Sequence, residues 1–213
     1  MADQITFSLD GKTVTAEDGE TIWQVAKREG VAIPHLCHKD AAGYRSDGNC
    51  RACMVDIEGE RTLAASCVRT PSDGMVVNTA TERAYKAREM VFELLLADQP
   101  DRETHPDPDS EFWKWSDSVG VSSSRFAPCG KPAQDASHPA IAVNLDACIA
   151  CNLCERACRE VQVNDVIGMA DRGSHTVPVF DLADPMGLSS CVACGECVSA
   201  CPTGALMEKS LLD

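Results

Sequence analysis

Thirteen cysteines lie along the 213 residues, at positions 37, 50, 53, 67, 129, 148, 151, 154, 158, 191, 194, 197 and 201. Thiolates at short, regular spacing bind soft metals, and a core of iron and sulfide with complete cysteine ligation takes four of them. The positions divide into three groups of four with Cys129 left over, so three such cores account for twelve. A disulfide framework is the weaker reading. The count is odd, and the N-terminal MADQITFSLD has no basic stretch followed by an apolar run, so the expected setting is a reducing cytoplasm.

The two C-terminal groups are the most specific signal. Cys148, Cys151, Cys154 and Cys158, then Cys191, Cys194, Cys197 and Cys201, both read C-x2-C-x2-C-x3-C, the second followed by Pro202 and the first by Arg159. This is the run of bacterial two-cluster ferredoxins, in which three cysteines loop around one [4Fe–4S] core and the fourth ligates the other. The ligand sets expected are Cys148, Cys151, Cys154 and Cys201 for one core, and Cys191, Cys194, Cys197 and Cys158 for its neighbour. The fourth cysteine of each run is expected at the start of a helix. Structural zinc is disfavoured because it draws four ligands from two short pairs, whereas each run here supplies four alone.

The first group, Cys37-x12-Cys50-x2-Cys53-x13-Cys67, has the layout of a [2Fe–2S] site on a loop, although its first gap exceeds the plant-type C-x4-C. The elements that must position it are legible around it. QITFSL (4–9) alternates like a strand, Asp10-Gly11 makes a hairpin turn, and KTVTA (12–16) returns. A short amphipathic helix follows from Asp18 and Thr21, with Ile22, Val25 and Ala26 on one face and Gly30 as its stop. Residues 51–58 and 61–66 read as a further strand pair around Glu58-Gly59-Glu60. This order implies a β-grasp ferredoxin. His35 and His38 invite a Rieske reading, with two histidines on one iron, but four cysteines are already present, so both are taken as loop residues near the site.

Thr79 to Glu82 reads as a capping box opening a helix whose apolar positions are Ala84, Ala87, Val91, Leu94 and Leu95. From 98 to 139 the chain is acidic, then rich in Ser and Pro, and is expected to be a linker packed along its neighbours. Its one helical patch is at Phe112, Trp113 and Trp115, tryptophans expected to pack against the chain itself. Cys129 is expected to be a free loop thiol. Between the C-terminal runs, 161–169 and 176–180 suggest a β-hairpin with His175 exposed at its turn. The expected architecture is therefore α+β: a β-grasp [2Fe–2S] ferredoxin-like domain (1–78), a helix plus irregular linker (79–140), and a two-cluster [4Fe–4S] ferredoxin-like domain (141–213).

A formal charge of −14 excludes the concentrated Lys and Arg that nucleic acid requires, and the longest apolar run, Leu94 to Ala97, is far too short to span a membrane. No phosphate-cradling glycine loop, nucleophile set or nucleotide fingerprint is present, so no catalytic residue is assigned.

Over nearly its whole length the chain resembles the N-terminal electron-transfer module of the NAD-dependent, Mo- or W-containing formate dehydrogenase α subunit. The segments that carry the resemblance are ITFSLDGKTVTAEDGETIWQVAKREG, IPHLCHKDAAGYRSDGNCRACMVDIEGERTLAASC, MVFELLLADQPDRE, VNLDACIACNLCERACREVQVNDVIG and SSCVACGECVSACPTGAL. It is more distantly similar to the large iron–sulfur subunit of complex I and to the diaphorase subunit of NAD-reducing hydrogenases. Those relatives carry a further H-x3-C-x2-C-x5-C cluster, but after His105 the corresponding positions here are Asp109, Phe112 and Ser118. A fourth cluster is not expected, and His105 is expected at the surface. The resemblance implies formate oxidation at a molybdopterin domain beyond residue 213 or on a separate subunit, with electrons passing to a subunit that binds FMN and NAD. The alternatives are the hydrogenase diaphorase subunit and a free-standing acidic ferredoxin-like carrier.

Overall fold

The structure, a computed structural model, describes residues 4–130 and 133–212; Met1 to Asp3, the Lys131-Pro132 pair of the expected linker, and Asp213 lie outside it. Strand β1 (Ile5–Leu9) turns through Asp10 and Gly11, both at positive φ, into β2 (Lys12–Ala16). Two consecutive left-handed residues give the turn whose twist matches the strands it joins. Alternation puts Phe7, Leu9, Val14 and Ala16 inward. Helix α1 (Ile22–Arg28) starts at Thr21, whose side chain accepts the Gln24 N–H while the Gln24 side chain accepts the Thr21 N–H, and it buries Ile22, Trp23, Val25 and Ala26.

Strands β3 (Met54–Ile57), β4 (Ala64–Ala65) and β5 (Val76–Asn78) complete a five-stranded sheet in the order β2-β1-β5-β3-β4. The pair expected at 51–58 and 61–66 forms, in shorter pieces. Central β5, parallel to β1 and antiparallel to β3, was not anticipated. Three residues are too few to display a two-residue period.

Helix α2 (Glu82–Leu96) corrects two expectations. Its N-cap is Thr81, whose hydroxyl accepts the Ala84 N–H at 3.2 Å. Thr79 is instead engaged by Asp10, which accepts both its N–H and its hydroxyl at 2.6 Å. The buried stripe is Ala84, Arg88 and Phe92, while Leu94 is exposed. Arg88 belongs to that stripe because its guanidinium donates twice to the Met54 carbonyl, at 2.9 and 2.7 Å.

The stretch expected as a surface linker contributes to a core. Helix α3 (Glu111–Val119) packs Phe112, Trp113 and Val119 against Leu36, Ala52 and Phe92. His105 is not at the surface: it is 5% exposed, edge-on to Trp113 at 5.4 Å, and its ring nitrogens meet Gln99 Oε1 and the Asp107 N–H.

Beyond it, β6 (Ile141–Val143) pairs antiparallel with β9 (Leu206–Glu208), closing the C-terminal region end to end. Strands β7 (Ile167–Ala170) and β8 (Val177–Phe180) form the expected hairpin with His175 exposed at its turn. Helices α4 (Leu153–Arg156) and α5 (Glu196–Ala200) follow the two cysteine loops. Among the described residues no helix is long and apolar enough to cross a membrane.

Candidate metal centres

Two enclosed cavities lie in the C-terminal region. One is lined by Cys148, Cys151, Cys154 and Cys201, the other by Cys158, Cys191, Cys194 and Cys197. Each cavity therefore draws three cysteines from one run and the last from the other. Left-handed residues bend each loop so that sulfurs three apart face inward: Ala150 and Asn152 in the first run, Ala193 and Gly195 in the second. The same bends aim backbone N–H groups at sulfur, Ala150 to Cys148 and Ala193 to Cys191, both at 3.4 Å. Such bonds stabilise a thiolate.

The fourth cysteines depart from expectation. They stand at the far ends of the helices, Cys201 as the C-cap of α5 and Cys158 in the wide turn (Ala157–Val161) that continues α4. The left-handed residue after the second cysteine starts each helix early. The C-x3-C step then spans one helical turn and carries the last sulfur across to the other cavity. Val166 N–H donates to Cys158 Sγ at 3.3 Å on that side.

Burial, with the neighbouring sulfurs adding to it, pushes the Cys151 and Cys154 thiols up, and Cys197 up to about 12. Four thiolates in so small a space repel one another. The quartets are therefore suited to a polycationic core that offsets that repulsion. Among the described residues no three His, Cys, Asp or Glu side chains close on a point suited to a single ion.

The N-terminal quartet is deeper. Cys37, Cys53 and Cys67 are buried and Cys50 is half-buried, with the Cys50 N–H on Cys37 Sγ at 3.3 Å and the Ala52 N–H on Cys50 Sγ at 3.5 Å. Hydrogen bonds from the Cys50 and Cys67 thiols hold Cys37 well below the ordinary thiol value and push the two donors up. A further bond from Cys67 lowers Cys53 to about 7. The sulfurs are thus within reach of one another. Ser66 bridges two of the cysteine segments, donating its N–H and hydroxyl to the Cys53 carbonyl at 3.1 and 2.8 Å. Trp23 of α1 packs edge-on to His35 at 4.5 Å and His38 at 4.4 Å. Burial pushes both imidazoles down, and each ring is engaged locally, His35 with the Ile33 carbonyl at 3.2 Å and His38 with the Ser46 hydroxyl.

The long gap between Cys37 and Cys50 also has a use that sequence reading missed. Residues 38–49 lie on the C-terminal region: Tyr44 donates to Glu196 at 2.7 Å, Lys39 pairs with the same carboxylate, Arg45 pairs with Glu160, and Asp47 pairs with Arg156. Only the long-range pairing of charges could have signalled this. Cys129 stays outside all three quartets, its N–H donating to Asp98 at 2.7 Å. Where a further cluster would need cysteine, Phe112 packs against Phe92 and Trp113 at 5.9 and 5.2 Å.

Comparison with known proteins matches two domain families to the chain. Residues 2–82 match the 2Fe-2S iron-sulfur cluster binding domain and residues 147–205 match the 4Fe-4S dicluster domain. The chain is therefore an iron–sulfur protein that combines a 2Fe–2S and a 4Fe–4S ferredoxin-like domain. Its iron–sulfur domains are related to those of a subunit of NADH-quinone oxidoreductase and of NAD(P)-reducing hydrogenase subunits. It is 35% identical over 215 residues to NADP-reducing hydrogenase subunit HndD of Solidesulfovibrio fructosivorans, covering 96% of this chain and 36% of that one. It is 31% identical over 212 residues to a subunit of the NADH-quinone oxidoreductase of Rickettsia typhi, covering 96% and 30%. The chain spans about a third of the length of these curated relatives. A chain in the crystal structure of an NAD+-reducing [NiFe]-hydrogenase in the H2-reduced state superposes with a TM-score of 0.88 at 27% identity, over 97% of this chain and 88% of that one.

Proposed function

We propose that this chain is the iron–sulfur electron relay of an NAD-linked oxidoreductase. The observation that carries the reading is the pair of cavities, each closed by a cysteine from the opposite run. The proposed ligands are Cys37, Cys50, Cys53 and Cys67 for [2Fe–2S]; Cys148, Cys151, Cys154 and Cys201 for one [4Fe–4S]; and Cys191, Cys194, Cys197 and Cys158 for the other. When bound, such cores supply one-electron transfer. The chain's own residues bring the sulfurs together, donate backbone N–H groups to Cys37, Cys50, Cys148, Cys158 and Cys191, exclude water from the inner ones, and fix the two regions against each other through residues 38–49.

The finer proposal is a formate dehydrogenase, with a molybdopterin catalytic domain or subunit on one side and a subunit binding FMN and NAD on the other. Support comes from the segments between the cysteines and from the aromatic packing at Phe112, where complex I-type relatives would carry a cluster ligand. The second reading is a diaphorase-type hydrogenase subunit, favoured by the near-complete superposition on the hydrogenase chain. Anaerobically purified protein should hold about ten irons, two plus four plus four. Zinc without sulfide overturns the relay. Mixed with candidate partners and NAD, the clusters should be reduced by formate through a molybdopterin protein; reduction by hydrogen through a hydrogenase subunit alone selects the second reading.

A further inference from the structure

Arg156 is only 2% exposed and is among the largest fully buried side chains in the molecule. It stands between Cys154, which lines one C-terminal cavity, and Cys158, which lines the other. Its guanidinium nevertheless reaches the N-terminal quartet: one Nη donates to the Cys37 carbonyl at 2.8 Å and the other pairs with Asp47, while Nε is buried with no hydrogen-bond partner. One side chain thus touches the backbone of the first quartet from within the second domain.

A buried ion pair is a poor way to gain stability, since apolar side chains of similar volume do as well or better. What apolar packing cannot supply is charge. Asp47 only partly neutralises Arg156, because the same carboxylate also pairs with Arg45, which leans in turn on Glu160. A cation held in a low-dielectric interior acts on any centre whose charge changes nearby.

We infer that Arg156 is a positioning residue that sets the reduction potential of the centre at Cys37, its positive charge favouring the reduced form and Asp47 moderating it. The inference rests on the cluster assignment proposed above. In the full chain, purified anaerobically and titrated with dithionite while the [2Fe–2S] signal is followed by electron paramagnetic resonance, Arg156→Gln should lower the potential. Asp47→Asn should raise it, and Arg156→Lys, which keeps the charge, should stay near wild type. The expected size is about tenfold in the reduced-to-oxidised ratio at fixed ambient potential, roughly 59 mV for one electron. A merely structural role would move both charge-removing variants the same way or neither, and either result overturns the inference. If Arg156→Gln loses iron on purification, Asp47→Asn and Arg156→Lys carry the test: a raised and an unchanged potential support it, and an unmoved Asp47→Asn overturns it. Wild-type protein that binds no iron and sulfide refutes the cluster assignment instead, and iron analysis before titration separates the two failures.

Discussion

Single side chains decide more here than their types suggest. Cysteine was legible because metal ligation imposes spacing along the chain, and a run of four thiols within eleven residues has few other uses. Arginine was not legible, because on a helix a charge reads as a solvent-facing position. Arg88 shows the difference. It is 6% exposed and is the only described side chain that donates to the Met54 carbonyl, just after Cys53. Burial lowers its pKa, and the Met54 carbonyl is the partner that its buried guanidinium finds. Replacing Arg88 with Met keeps the bulk and removes both donors. The expected cost is about 1–3 kcal/mol, the penalty for a buried carbonyl left without partners, measured as a lower denaturation midpoint with iron content held constant. An unchanged midpoint would mean that water takes over the carbonyl. His105 misled for the opposite reason: among Pro and Asp it looked like loop surface, but Trp113 and Gln99 enclose it.

Among elements, α2 and the 38–49 segment show where pattern reading stopped. The α2 helix was expected, but two threonines two residues apart made its start ambiguous. Thr81→Ala should lower stability by about 1 kcal/mol with fraying of α2. Thr79→Ala should leave α2 intact and loosen the β1–β2 turn through Asp10; amide exchange resolves the two, and equal fraying in both variants would contradict the assigned cap. The 38–49 segment carries no regular structure, so no periodicity marked it. Its hold on α5 has a defined pH window. The Tyr44 hydroxyl and Lys39 lower the Glu196 carboxyl, so that contribution is present above the ordinary carboxylate range and is lost as pH falls through the depressed value. Burial and Glu196 raise Tyr44, so its contribution is present below the ordinary phenol value of about 10 and is lost as pH rises through the raised one. Exchange protection at residues 38–49 should therefore be flat between those limits and fall at both ends. Tyr44→Phe should abolish the alkaline step and shrink the acid one.

At the scale of the whole molecule, the chain divides by what fills its interior. The N-terminal sheet and α1 enclose Phe7, Leu9, Ile22, Val25, Val55 and Val77, with only Cys53 and Cys67 among the buried thiols of that core. Around the two C-terminal cavities Cys151, Cys158 and Cys197 are buried among Ile141, Val143, Leu153, Val166, Ile167 and Phe180, so that the apolar packing there is built around thiols, and the strands are short pairs, β6 with β9 and β7 with β8. An apolar core survives removal of a metal, whereas a core whose contacts run through thiolates does not. The low aromatic content, 5% of residues, is compatible with interiors partly given over to cysteine-lined cavities, but it gave no hint of how the two regions would differ. Chelation under reducing conditions should thus unfold the chain unevenly. Slow amide exchange should persist in β1, β2, β5 and α1, while protection disappears from β6, β9, α4 and α5 and the 38–49 segment is released. The charge works in the same direction. At −14 before any thiol ionises, the chain as a whole repels itself, and the metal-free protein has no cluster core to hold its C-terminal loops against that repulsion. Adding salt to the chelated protein should screen that repulsion and restore compactness in part, without restoring exchange protection in α4 and α5. Uniform loss of protection across both regions, or uniform retention, would show that the two cores are energetically one.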